Sequence, residues 1–425
     1  MILKQTTRYI VAFFALIVLY LLFAFSAVYL PDGRIKRSVE KSVAMGDIKT
    51  DYPRAIVNKE VCRMDTYTDA LILNQVYYSS KQNAVNTVMM VPCLGDENDQ
   101  TEWLQQVVTG TVEPAHNYPR YWHGTTWLTR WLMLFCGRYA NLQLILFYSS
   151  SIALFLLFFL LCKKRKTAMA VCLFISMLLL KTYLAQFSLH LWPVLLIAVV
   201  AATLSLFIKS HDKQLMLLFV TGSLTAYFDL MTTPLLTLGV PLLVILSDEE
   251  IQQESVFTIV KKIFFLSLLW GIGFAFTWAA KWVIATWVTG ADVIADAIGT
   301  SLYRVNGDIP YMPSYSIWDA LYANLSKCPW GLILALVVAL VAMACFAFKK
   351  KGVKMAMVYF IVAMFPIVWY IVISNHSAVH CWFTYRLLIV TVAGLLMAAA
   401  SLIDWNRIKA IISNRITKIN PIHLL

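Results

Sequence analysis

Residues 9–30 read YIVAFFALIVLYLLFAFSAVYL, an apolar run long enough to cross a lipid bilayer as one helix. Lys4 and Arg8 precede this run. Its apolar core is longer than that of a signal peptide and no small-residue cleavage site follows, so we expect an uncleaved first span. Because similar runs recur along the chain, the sequence predicts an all-α polytopic integral membrane protein.

The overall composition agrees with that class. Of the 425 residues, 60% are hydrophobic and 14% charged, whereas soluble domains carry about 25% charged residues. We predict a single transmembrane domain over 1–425 with about ten spans. They are 9–30, 142–161, 167–185, 190–208, 214–229, 233–247, 263–287, 330–348, 354–373 and 386–403.

The formal charge of +12 does not indicate a nucleic-acid partner, because the basic residues form short clusters between apolar runs. Such clusters are KKRK at 163–166, KKKGVK at 349–354, and Lys261 with Lys262. With the N-terminus inside, every short basic loop falls on one side, as the positive-inside rule requires. We therefore expect a multi-pass protein of the plasma or inner membrane, with cytoplasmic N- and C-termini.

Three segments then remain on the extracytoplasmic side: 31–141, 288–329 and 374–386. The long first segment contains two helix-like stretches, TDALILNQVYY at 68–78 and WHGTTWLTRWLMLFCGRY at 122–139. The second stretch carries Trp122, Trp127, Trp131, Leu134 and Phe135 at helical spacing, which predicts an amphipathic helix in the plane of the membrane interface. Cys62 and Cys93 share this segment and can form a disulfide if that side is oxidising, but the sequence does not supply the separation that decides it.

Asp65 and Asp69 are the first candidates for chemistry. Asp65 precedes a helix-like run and Asp69 falls in its first turn, so both suit a helix N-terminus, where carboxylates cap and interact with the dipole. A carboxylate at a semi-apolar surface can also accept a proton from an attacking hydroxyl. The sequence leaves both interpretations open.

The order of a first span, a long outer segment with an acidic motif near its start, interfacial helices and many further spans resembles the GT-C membrane glycosyltransferases. DTYTDA at 65–70 is similar to the DE-x-x-Y-A type of motif in lipid-linked sugar transferases of that superfamily. Asp65 matches the first acidic position and Ala70 the last position. Thr66 replaces the second acidic residue, and Asp69 stands at the Tyr position.

The resemblance implies transfer of a sugar from a polyprenyl-phosphate donor to an extracytoplasmic acceptor of the cell envelope. One carboxylate base, Asp65, suffices for an inverting displacement, because the leaving lipid phosphate needs positive charge and no protonating acid. Asp69 or Asp229 is a helper in this scheme. Pairing with Lys281 is the alternative for Asp229, which lies at a bend next to Pro234.

The cationic candidates for the departing phosphate are Lys281, Arg386 and Arg304. Lys281 lies inside a predicted span, where an ionisable group is costly and therefore a functional candidate; a lysine extending to the headgroups is the alternative. Arg386 can hold a phosphate through two parallel hydrogen bonds, or anchor its span at the interface. Arg304 is a weaker candidate that also suits a solvated loop.

Histidines and tryptophans on the same side are candidates for substrate binding. They are His123, Trp122, His376, His380 and Trp382. Tryptophan also belongs to interfacial belts for reasons of lipid contact alone, and each histidine also suits a structural role. No acidic third ligand accompanies the two nearby histidines, so we predict no metal site among these residues, while metal dependence of the reaction stays open.

A transporter or a flippase of lipid-linked saccharides is the alternative function. It requires charged groups near the bilayer midplane, and the predicted spans carry few ionisable groups away from their outer ends. A channel, a scaffold or another lipid-dependent transferase are further alternatives. The partners that we expect are membrane lipid, the polyprenyl-phosphate donor, a cell-envelope glycan acceptor and small membrane proteins of a glycosylation system.

Overall fold

The computed structural model describes residues 2–48, 65–93, 100–110, 116–307 and 313–419, and these are almost entirely helical. The two cysteines proposed as a disulfide are not both within this set, because Cys62 lies outside the described residues. The helices of the first third are α1 (Ile2–Val28), α2 (Asp32–Ala44), α3 (Thr66–Tyr78), α4 (Ala84–Met90), α5 (Gln100–Val108) and α6 (Gly124–Cys136). Strands β1 (Pro92–Cys93) and β2 (His116–Asn117) pair antiparallel between them.

The rest of the chain forms the helical bundle. Its helices are α7 (Tyr139–Lys163), α8 (Thr167–Leu179), α9 (Thr182–Ala185), α10 (Trp192–Ser205), α11 (His211–Phe228), α12 (Leu236–Leu246), α13 (Glu249–Gln253), α14 (Val256–Thr289), α15 (Val293–Asn306), α16 (Ile317–Leu325), α17 (Trp330–Phe346), α18 (Gly352–Ala363), α19 (Phe365–Val372), α20 (Ser374–Val379), α21 (Cys381–Thr384), α22 (Leu388–Ser401) and α23 (Trp405–Ile419). A 3-10 turn, Tyr385–Leu387, joins α21 to α22.

Five helical stretches in the described residues are long and apolar enough to cross a membrane. They are Thr6–Val28, Tyr139–Lys163, Val256–Thr289, Gly352–Val372 and Cys381–Ser401. A sixth exists if α16 and α17, which meet at 76°, are counted as one span. A helix lies at each of the ten predicted positions, but α8, α10 and α12 have only 10–17 residues. The structure thus supports a multi-span membrane protein, and the count of about ten stays a prediction.

The basic short loops meet at one end of the bundle, as the orientation argument expects of loops on one side. Lys166 lies 3.6 Å from Asp248, and Lys209 pairs with the same carboxylate. Lys354 Nζ donates a hydrogen bond to the backbone carbonyl of Glu254. Three loops that are distant in sequence therefore converge on a common acidic turn.

Helices α11 and α14 pack with their backbones almost in contact. A Cβ atom on Gly222 would lie 2.0 Å from the carbonyl oxygen of Trp270, and a Cβ on Gly273 would lie 2.1 Å from that of Phe219. Small residues permit such close approach between membrane helices, where packing replaces the hydrophobic effect as the main source of stability. These two glycines therefore hold the centre of the bundle together.

Arg130 of α6 connects the elements of the first predicted outer segment. Its guanidinium is completely buried and donates to the carbonyls of Ala27 and Val76, near the C-termini of α1 and α3. A third donor pairs with Asp32 of α2. A cation stabilises carbonyls at helix C-termini. This one side chain thereby fixes the position of α3, which carries the two candidate carboxylates.

The two helices expected in that segment are present as α3 and α6. Trp127 of α6 is buried inside the protein, whereas Phe135, two turns later, is 78% exposed. The tryptophan stripe therefore contributes to internal packing at one end of α6. Placement of α6 in the membrane interface stays a prediction.

Candidate active site

Asp65 occupies the N-cap position of α3, as its place in the sequence predicts. Its Oδ1 accepts a hydrogen bond of 3.1 Å from Thr68 N, and its Oδ2 one of 2.8 Å from Thr68 Oγ1. Trp382 Nε1 donates to Oδ2 from the far side, at 3.2 Å. The cap therefore also joins α3 to the segment 374–386, more than 300 residues away.

Asp69, one turn further along α3, is buried and hydrogen-bonded by the protein on both carboxylate oxygens. Its carboxylate accepts from Tyr139 Oη at 2.6 Å, from Leu189 N at 3.0 Å to both oxygens, and from Ser188 Oγ at 3.2 Å. The residue is 1% exposed, against 7% for Asp65. Five donor contacts from the protein occupy the two oxygens of Asp69, against three at Asp65, so Asp65 is the more accessible of the two carboxylates.

His190 lies between the two carboxylates and was not predicted from the sequence. Its Nδ1 is 3.1 Å from Asp69 Oδ1 and 2.8 Å from Ser188 Oγ, and its Nε2 is 3.3 Å from Asp65 Oδ2. The imidazole is completely buried and packs edge-on to the ring of Phe383. The topological argument could have found it, since residues 186–189 lie between the third and fourth predicted spans on the outer side.

Asp229 lies in the short connection between α11 and α12. Its Oδ1 accepts from Thr232 N at 2.9 Å and from Thr232 Oγ1, while its Oδ2 is buried without a hydrogen-bond partner. Burial raises the pKa of Asp229 to about 6, against the opposing effect of the Thr232 hydrogen bonds. Asp229 and His190 are close enough to interact electrostatically.

Lys281 does not pair with Asp229, and that sequence-based alternative is wrong. Its Nζ is buried and donates to the carbonyls of Val88 and Met89, at 2.8 and 3.0 Å. These carbonyls lie in the last turn of α4, where a cation is stabilising. The observed contacts give Lys281 a structural role, and its phosphate-binding role stays a prediction.

Trp122 is likewise enclosed by protein. Its Nε1 donates to the carbonyl of Thr277 at 2.7 Å, and its ring contacts Tyr20, Tyr227 and the Lys281 ammonium. At 1% exposure, the ring has no open face for a sugar. Trp122 thus packs the interior in this conformation.

His123 follows in the left-handed backbone conformation, with φ of 55°. Its Nε2 bonds the carbonyl of Tyr118 at 2.7 Å. Burial, with a smaller contribution from Lys281, lowers the pKa of His123 to about 3, so the imidazole is neutral near pH 7. A neutral buried histidine on a backbone carbonyl stabilises this turn, and its substrate-binding role stays a prediction.

Arg304 and Arg386 are buried arginines without an acidic partner in the described part of the chain. Arg304 is 8% exposed; it contacts Met231 Sδ at 3.2 Å, donates to Tyr121 Oη and stacks on the Tyr121 ring. Arg386 is 4% exposed, donates to the Trp382 carbonyl at 3.2 Å, and has a buried Nε without a partner. A buried guanidinium without a counter-ion is costly, and an anionic ligand offsets that cost.

His376 and His380 lie near Arg304 and interact with its charge. His376 Nε2 bonds the carbonyl of Met231 at 2.9 Å, and the two imidazoles are 4.6 Å apart. Burial, followed by the charge of Arg304, lowers the pKa of His380 to about 3. Its Nδ1 is buried without a partner. His380 is thus a neutral ring with a free nitrogen beside a cation.

Hydrogen bonds join the chain segments that carry these arginines and histidines. Asn375 donates to the carbonyl of Tyr303 and accepts from Tyr315 N, at 3.0 and 2.9 Å. Asn324 donates to the carbonyl of Ser377 at 2.7 Å. Residues of the predicted outer segments 288–329 and 374–386 therefore form one layer, against which Asp65 of the first outer segment is held by Trp382.

No group of three potential metal ligands suited to a metal ion occurs in residues 2–48, 65–93, 100–110, 116–307 and 313–419. No protein-family model, curated protein or solved structure matches the chain.

Proposed function

We propose that this protein is a membrane glycosyltransferase of the GT-C type, which transfers a sugar from a polyprenyl-phosphate carrier to an extracytoplasmic acceptor. The observation that carries the proposal is the hydrogen bond from Trp382 to Asp65, which holds this carboxylate against the layer that contains Arg304 and Arg386, two buried arginines without an acidic partner among the described residues. A displacement at a sugar carbon bonded to lipid phosphate needs these two features: a base for the acceptor hydroxyl and positive charge for the leaving phosphate.

Asp65 is the base in this proposal. Two donors from Thr68 and one from Trp382 fix the carboxylate in a single orientation. The acceptor hydroxyl loses its proton to Asp65 as its oxygen bonds to the sugar carbon, and the bond from that carbon to the phosphate breaks. The electron pair leaves with the lipid phosphate.

Arg304 and Arg386 bind the phosphate of the carrier. Both are buried in water-poor surroundings, where positive charge stabilises a developing phosphate charge more strongly than at a solvated surface. His380, neutral and with an unpartnered Nδ1, can donate or accept one further hydrogen bond to the phosphate or to a sugar hydroxyl. Trp382, which already orients Asp65, supplies an aromatic edge beside the sugar.

The proposal includes a location. The chain resides in the plasma or inner membrane with about ten spans, with both termini cytoplasmic and Asp65 on the opposite side. Convergence of the basic loops on Asp248 and Glu254 supports a common side for those loops. Small membrane proteins of a glycosylation system and a cell-envelope glycan acceptor are the partners.

The test is a strain that lacks this protein, complemented with Asp65→Asn. Asparagine caps a helix about as well as aspartate, so this change keeps the cap and removes the base. We expect normal protein abundance and loss of one sugar from the surface glycans. Asp292→Asn is the matched control, because Asp292 caps α15 in the same way at an exposed position. Unchanged glycans in Asp65→Asn would contradict the proposal.

A further inference from the structure

His190 is a buried histidine to which the local sequence assigns no role. Its two ring nitrogens face the two carboxylates of α3, Nδ1 toward Asp69 and Nε2 toward Asp65. The ring therefore lies between the buried carboxylate of Asp69 and the carboxylate of Asp65. The geometry resembles an acid, a base and an orienting group in a row, as in other proton-transfer sites.

The two sides of the ring differ in hydrogen bonding. On the Nδ1 side, Asp69 Oδ1 and Ser188 Oγ lie within hydrogen-bond distance, at 3.1 and 2.8 Å. On the Nε2 side, Asp65 Oδ2 is 3.3 Å away, but the contact lacks the alignment of a hydrogen bond, and Nε2 is buried without a partner. A ring that carries its proton on Nδ1 satisfies Asp69 and leaves a lone pair on Nε2.

We propose that His190 holds the proton that Asp65 removes from the acceptor, and that Asp69 is the positioning residue that keeps the His190 proton on Nδ1. This inference rests on the proposed function. The acceptor O–H bond breaks and the proton reaches Asp65 Oδ2, in place of the hydrogen bond that the rotatable Thr68 hydroxyl donates to that oxygen. From there it passes to the lone pair of His190 Nε2, so that Asp65 returns to a carboxylate and the ring becomes doubly protonated.

The proton balance of the reaction follows from these contacts. One bond forms, between the acceptor oxygen and the sugar carbon, and one breaks, between that carbon and the carrier phosphate, which keeps the electron pair. The proton ends on Nε2 and leaves later to water. In the resting state His190 Nε2 has no hydrogen-bond donor as a partner, and a proton on Asp65 Oδ2 supplies one. The interaction therefore strengthens as the reaction proceeds, which is what accelerates a chemical step.

In the part of the chain that the structure describes, three carboxylates interact with His190. Asp65 and Asp69 approach from α3, and Asp229 interacts from the connection between α11 and α12. Tyr139 Oη reaches the ring through Asp69. A pH profile of the transfer reaction therefore reports on this small group of residues.

The first arm of the test is nuclear magnetic resonance of the full-length protein, labelled with ¹⁵N-histidine, in lipid nanodiscs. His190→Gln identifies the His190 signals by their loss. At pH 8 we expect a protonated Nδ1 and an unprotonated Nε2. The opposite tautomer, in which Ser188 Oγ donates to Nδ1 and Nε2–H donates to Asp65, would overturn the inference without reference to catalysis.

The second arm compares pulse-labelling rates of the surface glycan in cells with His190→Asn and His190→Gln. The asparagine amide takes the place of Nδ1 and keeps a donor for Asp69, but neither amide offers a basic nitrogen at Nε2. We expect both to slow labelling by about 100-fold, a typical contribution of acid–base catalysis, at normal abundance and with an altered pH profile. Wild-type rates and pH profile in His190→Asn would overturn the inference.

The experiments distinguish failure of the transferase proposal from failure of the proposed role of His190. If Asp65→Asn abolishes labelling and His190→Asn does not, the role of His190 is wrong and the transferase proposal stands. If Asp65→Asn labels normally, the transferase proposal is wrong and the proton-holding role falls with it, whatever tautomer the ring adopts. If His190→Asn is poorly folded, the tautomer of the unmodified protein, with its signals assigned through His190→Gln, still decides the inference.

Discussion

Tyr139, the first residue of α7, donates a 2.6 Å hydrogen bond from its hydroxyl to Asp69 Oδ2 of α3. This contact joins the start of α7, a helix long and apolar enough to cross a membrane, to the helix that carries both candidate carboxylates. Leu189 N donates to the same carboxylate from the connection between α9 and α10. Asp69 is therefore the point at which three separate parts of the chain are joined.

Asp69→Asn should destabilise the protein more than Tyr139→Phe. The first change replaces one carboxylate oxygen by an NH2 group, which cannot accept the bond from Tyr139 if it stands at Oδ2, or those from Ser188 and Leu189 N if it stands at Oδ1, at a cost of about 3 kcal/mol. The second change removes one donor, at a cost of about 1–2 kcal/mol. Thermal unfolding of the two variants in one detergent gives the order. Equal or reversed losses would show that Asp69 does not hold these segments together.

Asp229→Asn should stabilise the protein at neutral pH. Because burial raises the pKa of Asp229 to about 6, the folded chain binds this proton more tightly than the unfolded chain, so ionisation opposes folding. The penalty, up to about 3 kcal/mol, is complete above pH 6 and fades as the pH falls toward the unfolded pKa near 4. The asparagine oxygen still accepts from Thr232.

Melting temperatures of Asp229→Asn and the unmodified protein, measured at pH 7.5 and 4.5, check this sign. The gain should be large at pH 7.5 and small at pH 4.5. A variant that is less stable at pH 7.5 would mean that the ionised carboxylate stabilises the fold.

Gly222→Ala and Gly273→Ala should each lower stability by about 1–3 kcal/mol or more, the usual range for overpacking. The new methyl would collide with a backbone carbonyl of the facing helix, which has no room to move. Gly271→Ala is the matched control on α14, since a Cβ there meets nothing within 4 Å. It should be neutral or slightly stabilising, because alanine favours helix over glycine. A comparable loss in all three would contradict the close contact of α11 with α14.

A polyprenyl monophosphate should raise the melting temperature of the purified protein, because it supplies the anion that Arg304 and Arg386 lack. Arg304→Gln and Arg386→Gln should each reduce that rise several-fold. Arg120→Gln should leave it unchanged, because the Arg120 guanidinium already pairs with Asp296 at 3.1 Å. Equal rises in all the variants would place the lipid phosphate elsewhere.

Local sequence patterns predicted the helices and the cap. Asp65 precedes an apolar run and caps α3, and helices occur at the positions of all the predicted spans. Helix length was harder to predict: Lys181, with a φ of 55°, follows the break after α8, and Pro241 lies within α12. A hydropathy window averages across such interruptions.

Local sequence patterns could not predict which residues meet at the candidate site. Asp69 and Leu189 are 120 residues apart in the sequence, so the hydrogen bond between them is seen only in the fold. Lys281 illustrates the reverse case. A lysine in a span is a functional candidate by cost alone, but the carbonyls at the end of α4 account for its burial.

The most direct measurement of the central claim is the leaflet in which a lipid-linked sugar accumulates when Asp65 is replaced by Asn. Lipids are extracted from cells before and after treatment with a membrane-impermeant reagent that modifies exposed sugars. A transferase whose base faces outward should leave its unused polyprenyl-phosphate sugar in the outer leaflet, where the reagent reaches it, together with a surface glycan that lacks one sugar. Accumulation in the protected inner leaflet would contradict the account and indicate a flippase.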